Sequence, residues 1–250
     1  MTVCLSMISH GQAHLANLFL QDLQSCTEVS RAILVENIPD EVSLRIPASL
    51  PAQHRVNPVR LGFAGNHNLS FESCAQPFFC VANPDLRLVG NPFPALLQCF
   101  EDPEVGVVAP LVINSGGKTE DNARHFPTPA NLARKLFGGH DGRYRPDELP
   151  GRPVTPIDWA AGMFLLFRTE AFRDVGGFDD KFHLYYEDVD ICARLWKAGW
   201  KVMLAPETRV VHDAQRASRH NPKYMAWHAA SMMRYFGKHM GRKPRADHPA

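Results

Sequence analysis

The chain has 250 residues, 45% of them hydrophobic and 21% charged, with a formal net charge of +1. This length and apolar content support one large α/β domain, or one domain with appendages, and the near-neutral charge excludes a nucleic-acid binder that relies on bulk basicity. The six cysteines (Cys4, Cys26, Cys74, Cys80, Cys99, Cys192) form no C-x-x-C pair, so neither a zinc ribbon nor a redox motif is indicated and a reducing cytoplasm fits.

The first apolar run, Val3 to Ile8, predicts a buried strand, and Leu15, Leu18, Phe19 and Leu23 predict a helix over 14–23. Ala32 to Val35 predicts a second strand, with Glu36 and Asn37 just past its end. Proline and polar residues fill 38–53. Gly62 to Asn68 predicts a turn leading into a helix near 66–74. Pro77 to Ala82 is a compact apolar strand that stops at Asn83-Pro84-Asp85, a helix covers 92–100, and a strand covers 106–112. Such alternation implies an α/β fold with a Rossmann-like, mostly parallel sheet flanked by helices. Ligands then bind at the carboxyl ends of the strands, the edge that Glu36, Asn37 and Asp85 share.

Residues 114–156, rich in Gly, Pro, Arg and Asp, read as a long excursion of the kind that is often functional. Order resumes at Ile157 to Gly162, followed by the apolar Met163 to Phe167. Near 187–198, Val189, Cys192, Ala193 and Trp196 give a helix its core face, with Gly199 as the cap. Lys201 to Leu204 and Thr208 to Val211 read as short extended segments, and a last helix covers 222–237. The N-terminus lacks the pattern of a signal peptide, and no apolar run approaches the roughly 20 residues that span a bilayer.

The chemistry concentrates at three places. An aromatic run delivers Glu187, Asp188 and Asp190 to a helix start, and a cation, a substrate proton or the helix N-terminus must offset their repulsion. Asp188 is the candidate general base, with Glu187 orienting it or binding an acceptor; the bland alternative is a solvated acidic helix start. Asp85 can hold a divalent cation that also grips a diphosphate, or else Asn83-Pro84-Asp85 is merely a turn. His212 can be a further cation ligand, which Mn²⁺ tolerates better than Mg²⁺, or a structural histidine. Gly162 allows close backbone approach to a ligand or tight strand packing. The glycines of 62–68 resemble a phosphate cradle, involving Gly65 and Asn68, without matching G-x-G-x-x-G or a P-loop.

The order of these pieces resembles the inverting, GT-A-fold glycosyltransferases of family 2, particularly the rhamnosyltransferase-like branch. The matching segments are Leu61 to Asn68, Val81 to Asp85, Arg124 to Pro127, Asp158 to Met163, Val175 to Asp179, Tyr185 to Asp190, and Val210 to His212. The resemblance covers about residues 30–220. It implies that Asp85 is the last acid of a D-x-D-type metal motif written Asn83-Pro84-Asp85, that Asp188 is the base, and that His212 is the late metal-contacting histidine. It also implies that Mg²⁺ or Mn²⁺ is the cofactor, that Glu36 and Asn37 read the nucleotide base, and that Arg216 and Arg219 help hold the diphosphate. The implied substrates are a nucleotide-diphosphate sugar, with dTDP-rhamnose leading, and a glycan or lipid-linked acceptor for surface polysaccharide synthesis. The expected division is a nucleotide-binding part over 1–112, an acceptor and catalytic part over 155–220, and a helix with a basic tail over 221–250.

Two departures fall in the nucleotide-base pocket: Met7-Ile8-Ser9-His10 ends the first strand, and Val35-Glu36-Asn37-Ile38-Pro39 ends the second. They motivate the alternative of a catalytically impaired sugar-nucleotide-binding or scaffold protein on the same fold. A nucleotidyltransferase would want a Gly-rich basic loop after the first strand, which Ser9-His10-Gly11-Gln12 does not supply. The aromatic and basic stretch 224–245 suits either packing on the domain's own core or peripheral contact with an anionic membrane, on the inner face if the protein is cytoplasmic.

Overall fold

The computed structural model describes residues 1–120, 122–136, 142–144, 148, 154–213 and 222–239. In chain order the elements are β1 (Val3–His10), α1 (Ala13–Asp22), β2 (Val29–Ile38), β3 (Ala52–Val56), α2 (Phe63–Phe71), β4 (Phe78–Ala82) and β5 (Leu86–Leu88). Then come α3 (Phe93–Gln98), β6 (Val105–Ile113), β7 (Ala123–Arg124), α4 (Pro129–Leu136), β8 (Thr155–Pro156), β9 (Trp159–Ala160) and β10 (Phe164–Arg168). The chain continues through α5 (Thr169–Asp174), α6 (Glu187–Lys197), β11 (Lys201–His212) and α7 (Pro222–His239).

The main sheet runs β3-β2-β1-β4-β10-β6-β11-β5, with β8 also pairing β11. β1, β2, β3 and β4 are mutually parallel, and β11 is parallel to β6. β10 lies antiparallel between β4 and β6, and β5 is antiparallel to β11. Strands buried on both faces read as continuous apolar runs, as β1 does. Alternate residues then serve opposite layers. Val3, Leu5 and Met7 pack with Phe19 of α1 and Phe93 of α3, whereas Cys4 and Ile8 join the layer of α2, α5 and α6. Tyr235 of α7 belongs to that second layer.

Several expected boundaries shift. The second strand extends through Glu36 and Asn37, because the exposed edge strand β3 continues its ladder as far as Glu36 opposite Val56. β3 starts at the end of the proline-rich and polar stretch 38–53 and runs on through 54–56, to which the sequence pattern assigns no element. α2 begins at Phe63, so the expected cradle over 62–68 is instead the first turns of a helix, with Asn66 N–H donating to the Gly62 carbonyl at 3.2 Å. Lys201–His212 is one strand, interrupted by a register shift between Ala205 and Arg209 that made it look like two. The 114–156 excursion contributes β7, α4 and β8. Among the described residues, no helix is long and apolar enough to cross a membrane.

Candidate active site

The first half of the site forms where β4 ends. Asn83 N–H donates to the Met163 carbonyl at 2.9 Å, and β5 begins two residues after Pro84. The antiparallel register of β5 on β11 pairs Leu86 with His212. That register brings His212 Nε2 to 3.3 Å from Asp85 Oδ1, although the two lie 127 positions apart in sequence (212 − 85). Asp85 Oδ1 and His212 Nδ1 are buried, and neither makes a well-directed hydrogen bond among the described residues. Orphaned polar atoms of this kind are costly unless a ligand satisfies them. No group of three or more His, Cys, Asp or Glu suited to a metal occurs among the described residues. A hard divalent cation needs no such group when waters and phosphate oxygens complete its shell, so the Asp85–His212 pair fits one.

The second half is the start of α6. Tyr185 (φ 70°) and Tyr186 (φ 67°) occupy the left-handed region, the only non-glycine residues to do so among those described. For bulky side chains this costs about 1–3 kcal/mol each and persists only where the surroundings enforce it. The turn sets Tyr186 as the N-cap and starts the helix at Glu187. Asp188 Oδ2 accepts the Gly162 N–H at 3.1 Å, and Oδ1 accepts the Val189 N–H at 2.8 Å. Burial raises the Asp188 acid above the ordinary aspartate value despite these two donors. Glu187 is 6% exposed, and its Oε2 lacks a hydrogen-bond partner among the described residues. Burial first, and the Asp188 charge second, hold the Glu187 acid well above its usual range. Of the two acids Glu187 is the one held further up, so it keeps its proton to higher pH than Asp188 does, the ordering that suits a base next to a donor.

A cavity of about 230 Å³ opens over these carboxyls, walled by Arg124, Trp159, Tyr185 and His228 among others. β7 pairs with β9 so that Arg124 stands opposite Trp159. The Arg124 guanidinium lies 5.7 Å from the Trp159 ring centre, and Trp159 Nε1 donates to the His125 carbonyl at 2.9 Å. Asp158 accepts the Phe126 N–H at 2.8 Å and the Tyr144 hydroxyl at 3.2 Å. A hydrogen bond to Asp158, outweighing burial, lifts the His125 imidazolium above its usual pKa. The excursion thus returns as a wall of the cavity. Arg124, Trp159 and His228 received no individual role from the sequence; only the β7–β9 pairing and the docking of α7 bring them to Asp188. Asp85 and His212 lie outside this lining, joined to it through the Asn83–Met163 contact.

The remaining expected site residues have firm local partners. Glu36 Oε1 lies 2.7 Å from His54 Nε2. Asn37 accepts the Leu61 N–H at 2.9 Å and donates to the Leu61 carbonyl at 2.9 Å. Asn68 makes the same two-way clasp on Phe178, accepting its N–H at 3.0 Å and donating to its carbonyl at 2.8 Å. Gly65 lies within α2, where an added Cβ would approach Leu61 Cβ no closer than 3.9 Å. At Gly162 an added Cβ would stand 3.1 Å from the Phe63 ring. Arg216 and Arg219 lie outside the described residues.

Known proteins extend this picture. The model of the family described as glycosyl transferase family group 2 matches residues 85–229, more than half of the chain. An N-acetylglucosaminyl-diphospho-decaprenol L-rhamnosyltransferase of Mycobacterium tuberculosis (strain CDC 1551 / Oshkosh) is 31% identical over 64% of this chain and 55% of its own length. The chain thus spans only about half of that relative. Rhamnosyltransferase WbbL of Escherichia coli (strain K12) is 23% identical over 94% of this chain and 93% of its own length. The mannosyltransferase PcManGT from Pyrobaculum calidifontis, solved with GDP-Man and Mn²⁺, superposes with a TM-score of 0.65 at 14% identity, over 97% of this chain and 65% of its own. GalNAc-T7, solved with UDP, GalNAc and Mn²⁺, gives 0.65 at 16% identity, over 88% and 45%. These likenesses show a GT-A glycosyltransferase fold.

Proposed function

The chain belongs to glycosyl transferase family group 2, and on that premise we propose that it is a metal-dependent, inverting glycosyltransferase. It moves a sugar, rhamnose first among candidates, from a nucleoside-diphosphate donor to a hydroxyl of a glycan or lipid-linked acceptor for cell-surface polysaccharide. Rhamnose is supported by the names of two relatives, and the lipid-linked acceptor by one of them.

One observation carries the reading. Adjacent residues Gly162 and Met163 hold both halves of the chemistry, the first bonding the Asp188 carboxylate and the second the Asn83 backbone that leads to Asp85. Asp188 takes the proton of the acceptor hydroxyl as that oxygen forms a bond to the anomeric carbon. The bond from that carbon to the diphosphate breaks in the same step, and the configuration inverts. The raised Asp188 acid makes it a stronger base than an ordinary aspartate. Glu187, whose acid burial and the Asp188 charge hold well above the usual range, would keep its proton and offer it to the acceptor rather than serve as the second carboxylate nucleophile of a retaining route. Asp85 and His212 would hold Mg²⁺ or Mn²⁺, which when bound offsets the charge of the departing diphosphate. Glu36 and Asn37 would face the nucleotide base, with Asn83 lining the approach and Arg216 and Arg219 closing on the diphosphate; Asn68, committed to Phe178, and Gly65, inside α2, have structural roles.

The test is a panel of sugar nucleotides screened for thermal stabilisation with Mn²⁺ or Mg²⁺, since a ligand bound at 100 times its Kd adds about 2.7 kcal/mol to stability. dTDP-rhamnose is expected to raise Tm and to release its nucleoside diphosphate slowly. A panel in which no sugar nucleotide stabilises the protein would overturn the reading.

A further inference from the structure

α6 carries three acids in its first turn, and the third is used differently. A helix advances 100° per residue, so Asp190 points about 200° away from Asp188. It is fully buried. Arg194 Nε reaches its carboxylate at 2.7 Å, Lys238 Nζ at 2.8 Å and His239 Nε2 at 2.9 Å. Two of these three groups come from the last turn of α7, and Lys238 also meets Asp179 at 2.6 Å. Both lie beyond residue 229, where the match to the family model ends.

The same helix contacts the strained turn ahead of Glu187 along its length. Ser231 Oγ donates to the Leu184 carbonyl at 2.9 Å. The His228 ring lies 5.3 Å from both Tyr185 and Tyr186, and Trp227 lies 4.6 Å from His183. Tyr235 lies 5.5 Å from Tyr186. Lys238 and His239 thereby fix the rotation and height of α7. His228, about three turns earlier, is then held in the wall of the cavity that contains Asp188.

We infer that α7 is part of the acceptor site: His228 contacts the acceptor, and Asp190 is the positioning residue that fastens the helix there. The inference rests on the transferase reading above. An imidazole can donate to or accept from a sugar hydroxyl. The neighbouring Tyr185 and Trp159 rings offer faces for the apolar side of a pyranose. The acceptor class is a sugar ring presenting a free hydroxyl toward Asp188.

The experiment uses the full chain with Mn²⁺, dTDP-rhamnose and a short-chain N-acetylglucosaminyl-diphospho-lipid as the acceptor probe. Two readouts are taken: steady-state transfer, and tryptic cleavage within α7 at Lys223 and Arg234 with and without the probe. His228→Ala is expected to raise acceptor KM about tenfold, with kcat and donor KM moved less than threefold. The probe should slow cleavage of α7 in the parental protein and not in His228→Ala. Asp190→Asn should raise acceptor KM and speed cleavage of α7. Should that variant fail to fold, Lys238→Met, at the exposed end of the same ion pair, gives the same readouts. Parental transfer with an unaltered acceptor KM in His228→Ala and Lys238→Met would overturn the inference and leave the transferase reading intact. Absence of transfer in the parental protein, with the probe still protecting α7 through His228, would overturn the reading and sustain the inference. No transfer and no protection would overturn both.

Discussion

Gly162 donates its backbone N–H to the Asp188 carboxylate across 3.1 Å. The bond ties the backbone two residues ahead of β10 to the first turn of α6 and fixes which way Asp188 faces. An added Cβ at Gly162 would press on the Phe63 ring at 3.1 Å, so glycine is needed there for proximity rather than for an unusual φ. Asp188→Asn keeps an oxygen for this bond and loses the charge. It should retain stabilisation by dTDP-rhamnose while transfer falls about 10²–10⁴-fold, the usual contribution of a general base. Matched melting curves and transfer rates check this, and parental transfer by the variant would remove Asp188 from the role of base.

Asn68 separates two roles that the sequence alone could not. Its carboxamide clasps both the N–H and the carbonyl of Phe178, 110 residues away. Asn68→Ala strands two partly buried backbone groups and should cost about 2–3 kcal/mol. For a chain of this size that corresponds to a Tm lower by roughly 4–12 °C. Donor KM should stay near parental. A raised donor KM without a drop in Tm would instead assign Asn68 to the nucleotide.

The legible parts of the fold were those whose local pattern carries the cause. β1, β4 and β6 are apolar runs because both faces are buried, and α6 announces itself by an acidic start and a glycine stop. The edge strand β3 was illegible because it is mostly exposed and buries no apolar face. The antiparallel direction of β10 was illegible because a buried strand looks the same in either sense. At the site, Asp188, Glu187, Asp85 and His212 stood at element ends where chemistry concentrates. Arg124, Trp159 and His228 became neighbours of Asp188 only through pairings over long sequence separations, which local periodicity does not encode.

The cation pair makes a prediction about stability as well as activity. Asp85 Oδ1 and His212 Nδ1 are buried without well-directed partners, so each costs free energy until a ligand satisfies it. Asp85→Asn and His212→Gln should leave the Tm of the free protein unchanged or slightly raised, by up to about 1 kcal/mol in stability. Each should abolish the part of dTDP-rhamnose stabilisation that depends on Mn²⁺. A Mn²⁺-dependent shift of parental size in both variants would place the cation elsewhere.

Glu187 should destabilise the fold at neutral pH. Its folded acid is held well above the usual 4.5 by burial and by Asp188. A carboxyl with a raised folded pKa contributes stability that is complete below its unfolded value and is lost as pH rises through the folded one. Glu187→Gln removes the titration while keeping the shape. The variant should match the parental Tm near pH 4 and exceed it at pH 8 by roughly 2–4 °C for each kcal/mol recovered. Transfer should fall, as expected where stability is sacrificed at a functional site. A parental Tm at both pH values would show that Glu187 carries no such strain.

Acid should unfold the protein in two stages with separate causes. His67 is 1% exposed, with Nδ1 at 2.8 Å from Ser6 Oγ and its ring against Phe63 at 4.4 Å. Burial drives its pKa down to about 3, so the folded protein holds it neutral. Its contribution is complete above the unfolded value near 6.5 and erodes as pH falls toward 3, by at most about 1.4 kcal/mol per pH unit. Asp190 behaves differently. Burial would raise its acid, but the His239 hydrogen bond and the Arg194 and Lys238 charges outweigh it and bring the pKa to about 2. Its contribution is therefore intact until about pH 4 and disappears between there and pH 2. In urea unfolding, Glu187 gains stability as pH falls over the same range and opposes the His67 loss, so the test is the difference between proteins: from pH 6.5 to 4.5 His67→Gln should lose less stability, or gain more, than the parental protein. Asp190→Asn should follow the parental protein over that range and flatten only the fall below pH 4. An equal slope in His67→Gln between pH 6.5 and 4.5 would assign the first stage to another histidine.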